Sequence, residues 1–165
     1  MNTEEKSLRQ CWRTPPDLWE QIVEIWNPTF DLAANAENRL CESWCGPGSV
    51  YEDALNADLP ESDRTAYCNP GFSGMLPWVH LCDELIMFGA FREIVLMGMV
   101  APSTEWYGVA AENAKEIIML SPRVQFLPPP GVRPSSNSHD NALFVFRKSP
   151  LAKPNIGTWK WRVKW

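Results

Sequence analysis

The segment 69–73, Asn-Pro-Gly-Phe-Ser, combines residue types that could bind the exocyclic amine of a nucleobase. Such an amine is a weak nucleophile, because its lone pair is delocalised into the aromatic ring. The side-chain oxygen of Asn69 and the carbonyl oxygen of Pro70 could accept its two hydrogens and direct the lone pair, and Phe72 could stack on the extruded base. The same residues also suit an ordinary corner after a strand, where Asn, Pro and Gly are common. The segment alone leaves both interpretations open.

Helices and strands that alternate along the chain must position this segment. Apolar residues at intervals of three and four predict a helix over 16–26, which Thr14 would cap. The pattern predicts further helices over 37–44 and 75–88, and a helix that Ser103 caps and that runs through Asn113. It predicts strands over 30–32, 50–51, 65–68, 93–100, 116–120, 124–126, 142–146 and 158–165. This alternation predicts an α/β fold whose sheet is mostly parallel, with antiparallel strands late in the chain.

Polar and small residues follow three of the predicted strands, at 31–35, 56–58 and 69–74. Ligands of open parallel sheets bind at the carboxyl ends of the strands, so we expect these segments to meet at one edge. The long loop 128–141 is expected either to face a substrate or simply to be solvated. Its polar members, such as Arg133 and Ser136, are types that bind phosphates.

Several motifs in order resemble those of the phage-type DNA N6-adenine methyltransferases. Residues 12–15, Trp-Arg-Thr-Pro, resemble the N-terminal motif of that family. Residues 30–38 resemble its first cofactor block, and residues 53–58 resemble the next block. Residues 69–73 stand at its Asn-Pro-Pro-Tyr-Ser motif, with Gly71 and Phe72 in place of Pro and Tyr. The resemblance covers most of residues 12–146.

The resemblance implies a Rossmann-like class I methyltransferase fold with helices on both faces of the sheet. It also implies transfer of a methyl group from S-adenosylmethionine to N6 of adenine in DNA, without a metal. The catalytic residues are then Asn69, Pro70 and Phe72. The cofactor-binding residues are then Trp12, Thr14, Pro15, Asp31, Ala33, Asp58 and Asn69. The substrate-binding residues are then Ser73, Arg123, Arg133, Ser135 and Ser136.

The charge of the chain is divided unevenly. Residues 1–116 carry 19 acidic and 7 basic residues, a net charge of −12, whereas residues 117–165 have a net charge of +7. A basic face could therefore bind a polyanion although the whole chain is acidic, or the fold could mix the two parts. The closing segment 158–165 alternates large apolar residues with Lys and Arg. It predicts an edge strand guarded by charge or a strand that touches a DNA backbone.

Length and cysteine content limit the class of protein. A chain of 165 residues predicts one domain over 12–165, after a flexible lead-in over 1–11. No apolar stretch is long enough to predict a membrane span. Five Cys without a secretory signal favour the cytoplasm, that of the host if a phage encodes the chain. A zinc site formed by Cys41, Cys45, His80 and Cys82 is conceivable, although the spacing is untypical.

Other functions stay open at this stage. His139 and Asp140, with Ser136 or Ser138, could form a hydrolase site, although no nucleophile elbow surrounds them. A related methyltransferase could act on RNA or on a protein amide. A catalytically weak homologue could instead bind cofactor or DNA, or block a host enzyme.

Overall fold

The computed structural model describes residues 12–134, 136–149 and 153–162. The predicted lead-in over 1–11, Ser135 and the last three residues of the chain lie outside the described residues. Within those ranges the chain forms a seven-stranded sheet, and helices pack against both of its faces. This mixed α/β architecture confirms the predicted fold class. The domain boundary at residue 12 stays a prediction.

Three helices in the described part of the chain correspond to predicted ones. They are α1 Pro16–Trp26, α2 Met75–Phe88 and α3 Glu105–Asn113. α1 buries Leu18, Ile22 and Trp26, which are four residues apart and therefore share one face of the helix. α2 is followed by Gly89, whose φ of 81° lies in the left-handed region that favours glycine at a helix end.

Seven strands in the described ranges form the sheet. They are β1 Phe30–Asp31, β2 Ser43–Trp44, β3 Thr65–Cys68, β4 Glu93–Met99, β5 Glu116–Ser121, β6 Asn141–Arg147 and β7 Asn155–Lys160. Their order across the sheet is β2-β1-β3-β4-β6-β5-β7. β6 runs antiparallel to β4 and β5, and the other neighbouring pairs are parallel. The sheet is thus mostly parallel with a late antiparallel element, as predicted.

The sheet separates two apolar layers, because successive side chains of a strand point to opposite faces. Ala66 of β3 belongs to the layer that contains the buried residues of α2 and α3. Tyr67 of β3 and Val95 of β4 belong to the layer that contains the buried residues of α1. Helices therefore cover both faces, and the apolar run of β4 follows from its burial on both sides.

The predicted helix over 37–44 is absent, and this prediction is wrong. Residues 36–38 form a turn, and β2 occupies the end of the segment. Side chains bind the backbone N–H groups that a helix would need: Oδ1 of Asn35 accepts from Glu37 and Asn38, and Oδ2 of Asp31 accepts from Leu40. Local side-chain acceptors therefore replace the helical hydrogen bonds here.

Two predicted strands are reduced to single bridges. In place of a strand over 50–51, Tyr51 forms one parallel bridge with Cys45. In place of a strand over 124–126, Leu127 forms one antiparallel bridge with Arg13. Each bridge joins a single pair of residues outside the named strands.

Thr14 does not cap α1, contrary to the prediction. The N-cap is Pro15, without a side-chain hydrogen bond. The Pro15 carbonyl accepts from the backbone N–H groups of Leu18 and Trp19 and begins the helix. The Thr14 hydroxyl is therefore available to other groups, which belong to the site described next.

Candidate active site

Two of the three predicted polar segments meet at the carboxyl ends of β1 and β3. Asp31, at the end of β1, pairs in register with Tyr67 of the parallel strand β3. Asn69 follows β3 directly. The segments 32–34 and 70–71 line one cavity together, as the predicted fold requires. Asp58, which ends the third segment, is exposed and lines neither of the two cavities described below.

A cavity of about 400 Å³ opens beside residues 69–72, and it is called the larger cavity here. Its wall contains these four residues together with Trp12 and Phe126. The rest of the wall is a single loop. Its lining members are Val132, Arg133, Pro134, Ser136, Asn137, Ser138 and His139. The predicted catalytic segment and part of the predicted substrate loop therefore face the same space.

Aromatic side chains form part of the wall of the larger cavity. The rings of Phe72 and Phe126 have centroids 5.6 Å apart and an interplanar angle of 76°, an edge-to-face contact. Both side chains and that of Trp12 are half-buried. They offer apolar surface to a planar ligand without filling the cavity.

The side-chain amide of Asn69 is bound by Thr14. Nδ2 of Asn69 donates to Oγ1 of Thr14 at 3.1 Å. The hydroxyl oxygens of Thr14 and Tyr67 are 2.7 Å apart. Thr14 and Tyr67 are 2% and 0% exposed, so this chain of hydrogen bonds is shielded from water. No donor among the described residues binds Oδ1 of Asn69, which is therefore a free acceptor beside the cavity.

A smaller cavity of about 230 Å³ shares Pro70 and Gly71 with the larger one. Its wall combines small apolar side chains, two carboxylates and one indole. Its other lining residues are Leu32, Ala33, Ala34, Cys45, Gly46, Pro47, Glu52, Asp53, Ala54 and Trp78. The two cavities are thus neighbours that meet at the segment after β3.

Asp31 does not line the smaller cavity but binds the backbone of Ala33, which does. Asp31 is only 3% exposed. Its Oδ1 accepts from the backbone N–H of Ala33 at 3.2 Å, and its Oδ2 accepts from that of Leu40 at 3.1 Å. Burial raises the pKa of Asp31 to about 6, while the two backbone hydrogen bonds oppose that rise. The carboxyl group fixes the loop that carries Ala33.

Other predicted site residues line neither cavity. Pro15 is buried at the start of α1, and Ser73 is exposed just after Phe72. Arg123 donates through Nε to Oδ1 of Asp140 at 2.6 Å, and this ion pair is half-exposed. Ser135 lies outside the described residues.

Acidic partners neutralise several arginines of the basic C-terminal part. Besides the Arg123 pair, Arg147 binds Glu93 and Glu116, and Arg162 binds Asp17. The fold therefore mixes the two oppositely charged parts of the chain to this extent. Arg133 is the arginine in the described wall of the larger cavity.

Glu52 and Asp53 line the smaller cavity. Sequence reasoning missed Glu52 and assigned no role to Asp53 itself, although Asp53 begins the segment 53–58 that resembles a family block. A signal was present in the sequence, because both residues directly follow the strand predicted over 50–51, and ligands of parallel sheets bind at strand ends. Trp78 and Phe126 were assigned no role either. Their places in the cavity walls depend on tertiary packing, which the local pattern does not reveal.

Neither the zinc site nor the hydrolase site is supported by the described residues. They contain no group of three or more His, Cys, Asp or Glu side chains that could hold a metal ion, and their cysteines are free thiols. Oγ of Ser138 lies 3.3 Å from Nδ1 of His139, but Asp140 binds Arg123. A Ser-His-Asp relay is therefore not formed there. In the described part of the chain, no helix has the length and apolar character to span a membrane.

The chain is similar to known proteins over most of its length. Residues 2–159 match the model of the family described as DNA N-6-adenine-methyltransferase (Dam). The chain is also similar to a DNA N-6-adenine-methyltransferase of Haemophilus phage HP1 (strain HP1c1), with 27% identity over 126 residues, which are 74% of this chain and 69% of the phage protein. The family match spans nearly the whole chain and includes both cavities. The chain belongs to the DNA N-6-adenine-methyltransferase family.

Proposed function

We propose that this protein methylates N6 of adenine in DNA and that the target adenine, extruded from the duplex, occupies the larger cavity. The observation that carries the proposal is the free Oδ1 of Asn69, a residue that lines that cavity together with Pro70 and Phe72. Membership of the family supports the same reaction. The similar phage protein, by its name, acts on the same base.

Asn69 and Pro70 hold the amine in this account. The two amine hydrogens bond to Oδ1 of Asn69 and to the carbonyl oxygen of Pro70. These bonds draw the nitrogen towards a tetrahedral geometry, so that its lone pair leaves the ring and points to the methyl donor. These bonds strengthen as the nitrogen becomes more positive, and because the acceptors are fixed before the base arrives, little reorganisation is needed.

Phe72 supplies the stacking surface for the base. Its ring is already braced by the edge-to-face contact with Phe126. Trp12 adds a further aromatic side chain to the wall. Stacking on aromatic rings contributes roughly 1–3 kcal/mol per base and compensates part of the cost of taking adenine out of the duplex.

The smaller cavity has residues that fit S-adenosylmethionine. Glu52 and Asp53 can accept hydrogen bonds from ribose hydroxyls or from an ammonium group, and Trp78 can pack on an adenine ring. The small side chain of Ala33 leaves space for the ligand in this cavity. When bound, S-adenosylmethionine supplies an electrophilic methyl group. Asp31 acts through the loop that it fixes.

The DNA backbone is bound at the loop over the larger cavity. Arg133 and Ser136 line that cavity and are both exposed. Guanidinium and hydroxyl groups are common partners of phosphate oxygens. Arg123 contributes less, because it is already neutralised by Asp140.

The experiment that tests the function is a substrate comparison. The protein is incubated with methyl-labelled S-adenosylmethionine and duplex DNA, RNA or a mixture of proteins. Mass spectrometry of the digested nucleic acid identifies the modified base. We expect N6-methyladenine in DNA alone. Label in RNA or protein would reassign the substrate, and no label in any of them would reduce the chain to a binding protein.

A further inference from the structure

The buried hydroxyl pair beside Asn69 is a feature that the reaction, as described so far, does not use. Tyr67 is fully buried and Thr14 nearly so. Their hydroxyl oxygens are 2.7 Å apart. Thr14 lines neither cavity, although its neighbour Trp12 lines the larger one. Buried polar groups are costly unless they are paired, and these two hydroxyls are paired with each other. Their partnership therefore keeps both in place beside Asn69.

Thr14 is held in place from both sides along the chain. Arg13 and Leu127 exchange two backbone hydrogen bonds of 2.8 and 2.9 Å. On the other side, the Pro15 carbonyl begins α1. The backbone at Thr14 is therefore fixed between a bridge to the cavity loop and the first turn of a helix. Its hydroxyl has little freedom to follow a ligand.

The hydroxyl of Tyr67 stays protonated, because burial raises the pKa of this phenol far above its usual value. Thr14 is its hydrogen-bond partner among the described residues. When Tyr67 donates to Thr14, the Thr14 oxygen accepts from Tyr67 and from Nδ2 of Asn69 together. Both lone pairs of one oxygen are then used.

This arrangement fixes the direction of the Asn69 amide. An Asn side chain has a donor end and an acceptor end, and a rotation of 180° exchanges them. With Nδ2 bound to Thr14, Oδ1 must point away from Thr14 and is left without a donor among the described residues. We infer that Thr14, backed by Tyr67, is a positioning residue that presents the acceptor end of Asn69 to the amine of the target base. The inference rests on the proposed function and gives Thr14 a role distinct from cofactor binding.

The test measures single-turnover methyl transfer to duplex DNA at saturating cofactor. Thr14→Val removes the hydroxyl and keeps the shape of the side chain. We expect the rate to fall roughly tenfold to a hundredfold, by analogy with removal of the groups that orient metal ligands. Affinities for DNA and for S-adenosylhomocysteine should not change. Thr14→Ser should restore most of the rate, and Tyr67→Phe should cost less than Thr14→Val. The matched control is Thr29→Val, at an exposed threonine far from the pair in sequence, which should behave as wild type.

A double variant separates orientation from general damage. If Thr14 acts only through Asn69, Thr14→Val should have no further effect on the rate of an Asn69→Ala protein. A second full loss in that background would overturn the inference. A wild-type rate for Thr14→Val would also overturn it. If binding of S-adenosylhomocysteine were weakened at the same time, Thr14 would be a cofactor contact.

A readout without catalysis distinguishes failure of this inference from failure of the proposed function. The side-chain amide signals of Asn69 in a ¹H–¹⁵N spectrum are identified by their absence in Asn69→Ala. In wild type we expect one of the two Nδ2 protons of Asn69 to have a chemical shift with a small temperature coefficient, because this proton is bonded to Thr14. The small coefficient should be lost in Thr14→Val. If that variant does not fold, Thr14→Ala serves instead. Two equally large coefficients in wild type would overturn the inference even if the protein methylates DNA. If the spectrum shows the expected pattern but the protein does not methylate DNA, the hydrogen bond exists. The positioning role is then wrong together with the proposed function.

Discussion

Asn137 donates a hydrogen bond through Nδ2 to Oδ1 of Asn141, 2.6 Å away. Asn141 begins β6 and is fully buried, whereas Asn137 lies in the wall of the larger cavity. Nδ2 of Asn137 also donates to the carbonyl of Val124 at 2.9 Å. The loop over the cavity is therefore tied to the core of the sheet by one amide side chain.

Asn137→Ala should destabilise the protein. The substitution leaves the buried Oδ1 of Asn141 without this donor, and a buried unsatisfied group costs roughly 1–3 kcal/mol. Urea unfolding at neutral pH measures the free energy of unfolding. Ser138→Ala is the control, because Ser138 is an exposed neighbour in the same loop and should change stability by less than about 0.5 kcal/mol. Equal stability of the two variants would mean that the amide pair does not secure the loop.

Gly71→Pro should be tolerated. Five glycines of the described chain have positive φ, and Gly71 is not among them. Proline, which fixes φ near about −65°, therefore meets no left-handed backbone there. We expect the variant to fold with unchanged stability and to retain methylation. Gly74→Pro is the contrasting variant, because Gly74 has a φ of 84° and should lose stability. Loss of folding in Gly71→Pro would show that this loop requires glycine.

Asp31 should make the protein less stable as the pH rises from about 4 to 6. Burial raises the pKa of the folded carboxyl group from 3.8 to about 6. Over that interval the folded state keeps a proton that the unfolded state has lost, so each rise in pH favours unfolding. The total effect is on the order of 3 kcal/mol, from 1.36 kcal/mol per pKa unit. The loss becomes complete and constant about one pH unit above that pKa, near about pH 7.

Urea unfolding of wild type and Asp31→Asn at pH 4, 5, 6 and 7 checks this. The difference in unfolding free energy between the two proteins should change by about 3 kcal/mol as the pH rises from 4, and it should level off near pH 7. Asp63→Asn, at a carboxylate whose side chain is 88% exposed, should give a curve parallel to wild type. Parallel curves for Asp31→Asn as well would show that the carboxyl group titrates normally.

DNA binding should weaken with salt, and Arg133 should matter more than Arg123. Each phosphate contact lowers log affinity by about 0.9 per unit of log salt concentration on duplex DNA. Arg133→Ala should reduce that slope by about one contact. Arg123→Ala should change it less, because Asp140 already neutralises Arg123. Fluorescence anisotropy with a labelled duplex from low to moderate salt gives the slopes. A larger effect of Arg123→Ala would move the DNA path away from the larger cavity.

The sequence predicted the elements with strong periodicity. α1 and α2 have the predicted bounds, since the apolar spacing of α1 and the Gly89 that follows α2 leave little choice. The buried strand β4 was predicted from its apolar run for the same reason. The segment 37–44 failed because its decisive interactions come from side chains, Asn35 and Asp31, that compete with helical hydrogen bonds.

The site was predictable where motif and strand end coincide. Asn69, Pro70 and Phe72 were expected in one place, and all three line the larger cavity. The hydrogen bonds of Thr14 were not predictable, because its partners Tyr67 and Asn69 are 53 and 55 residues away and only the packing of α1 on the sheet brings them together. The neutralisation of Arg123 likewise depends on a contact between distant residues.

The proposed reaction depends most directly on the acceptor role of Asn69. The measurement is the single-turnover rate of N6-adenine methylation by Asn69→Ala, with cofactor saturating and with Asn155→Ala, at an exposed position on the edge strand β7, as the control. Loss of one positioned group of this kind typically slows a reaction by a factor of roughly 100 to 1,000. We predict a fall of that size for Asn69→Ala with unchanged S-adenosylhomocysteine affinity, and a wild-type rate for the control. A wild-type rate for a folded Asn69→Ala protein would contradict the account.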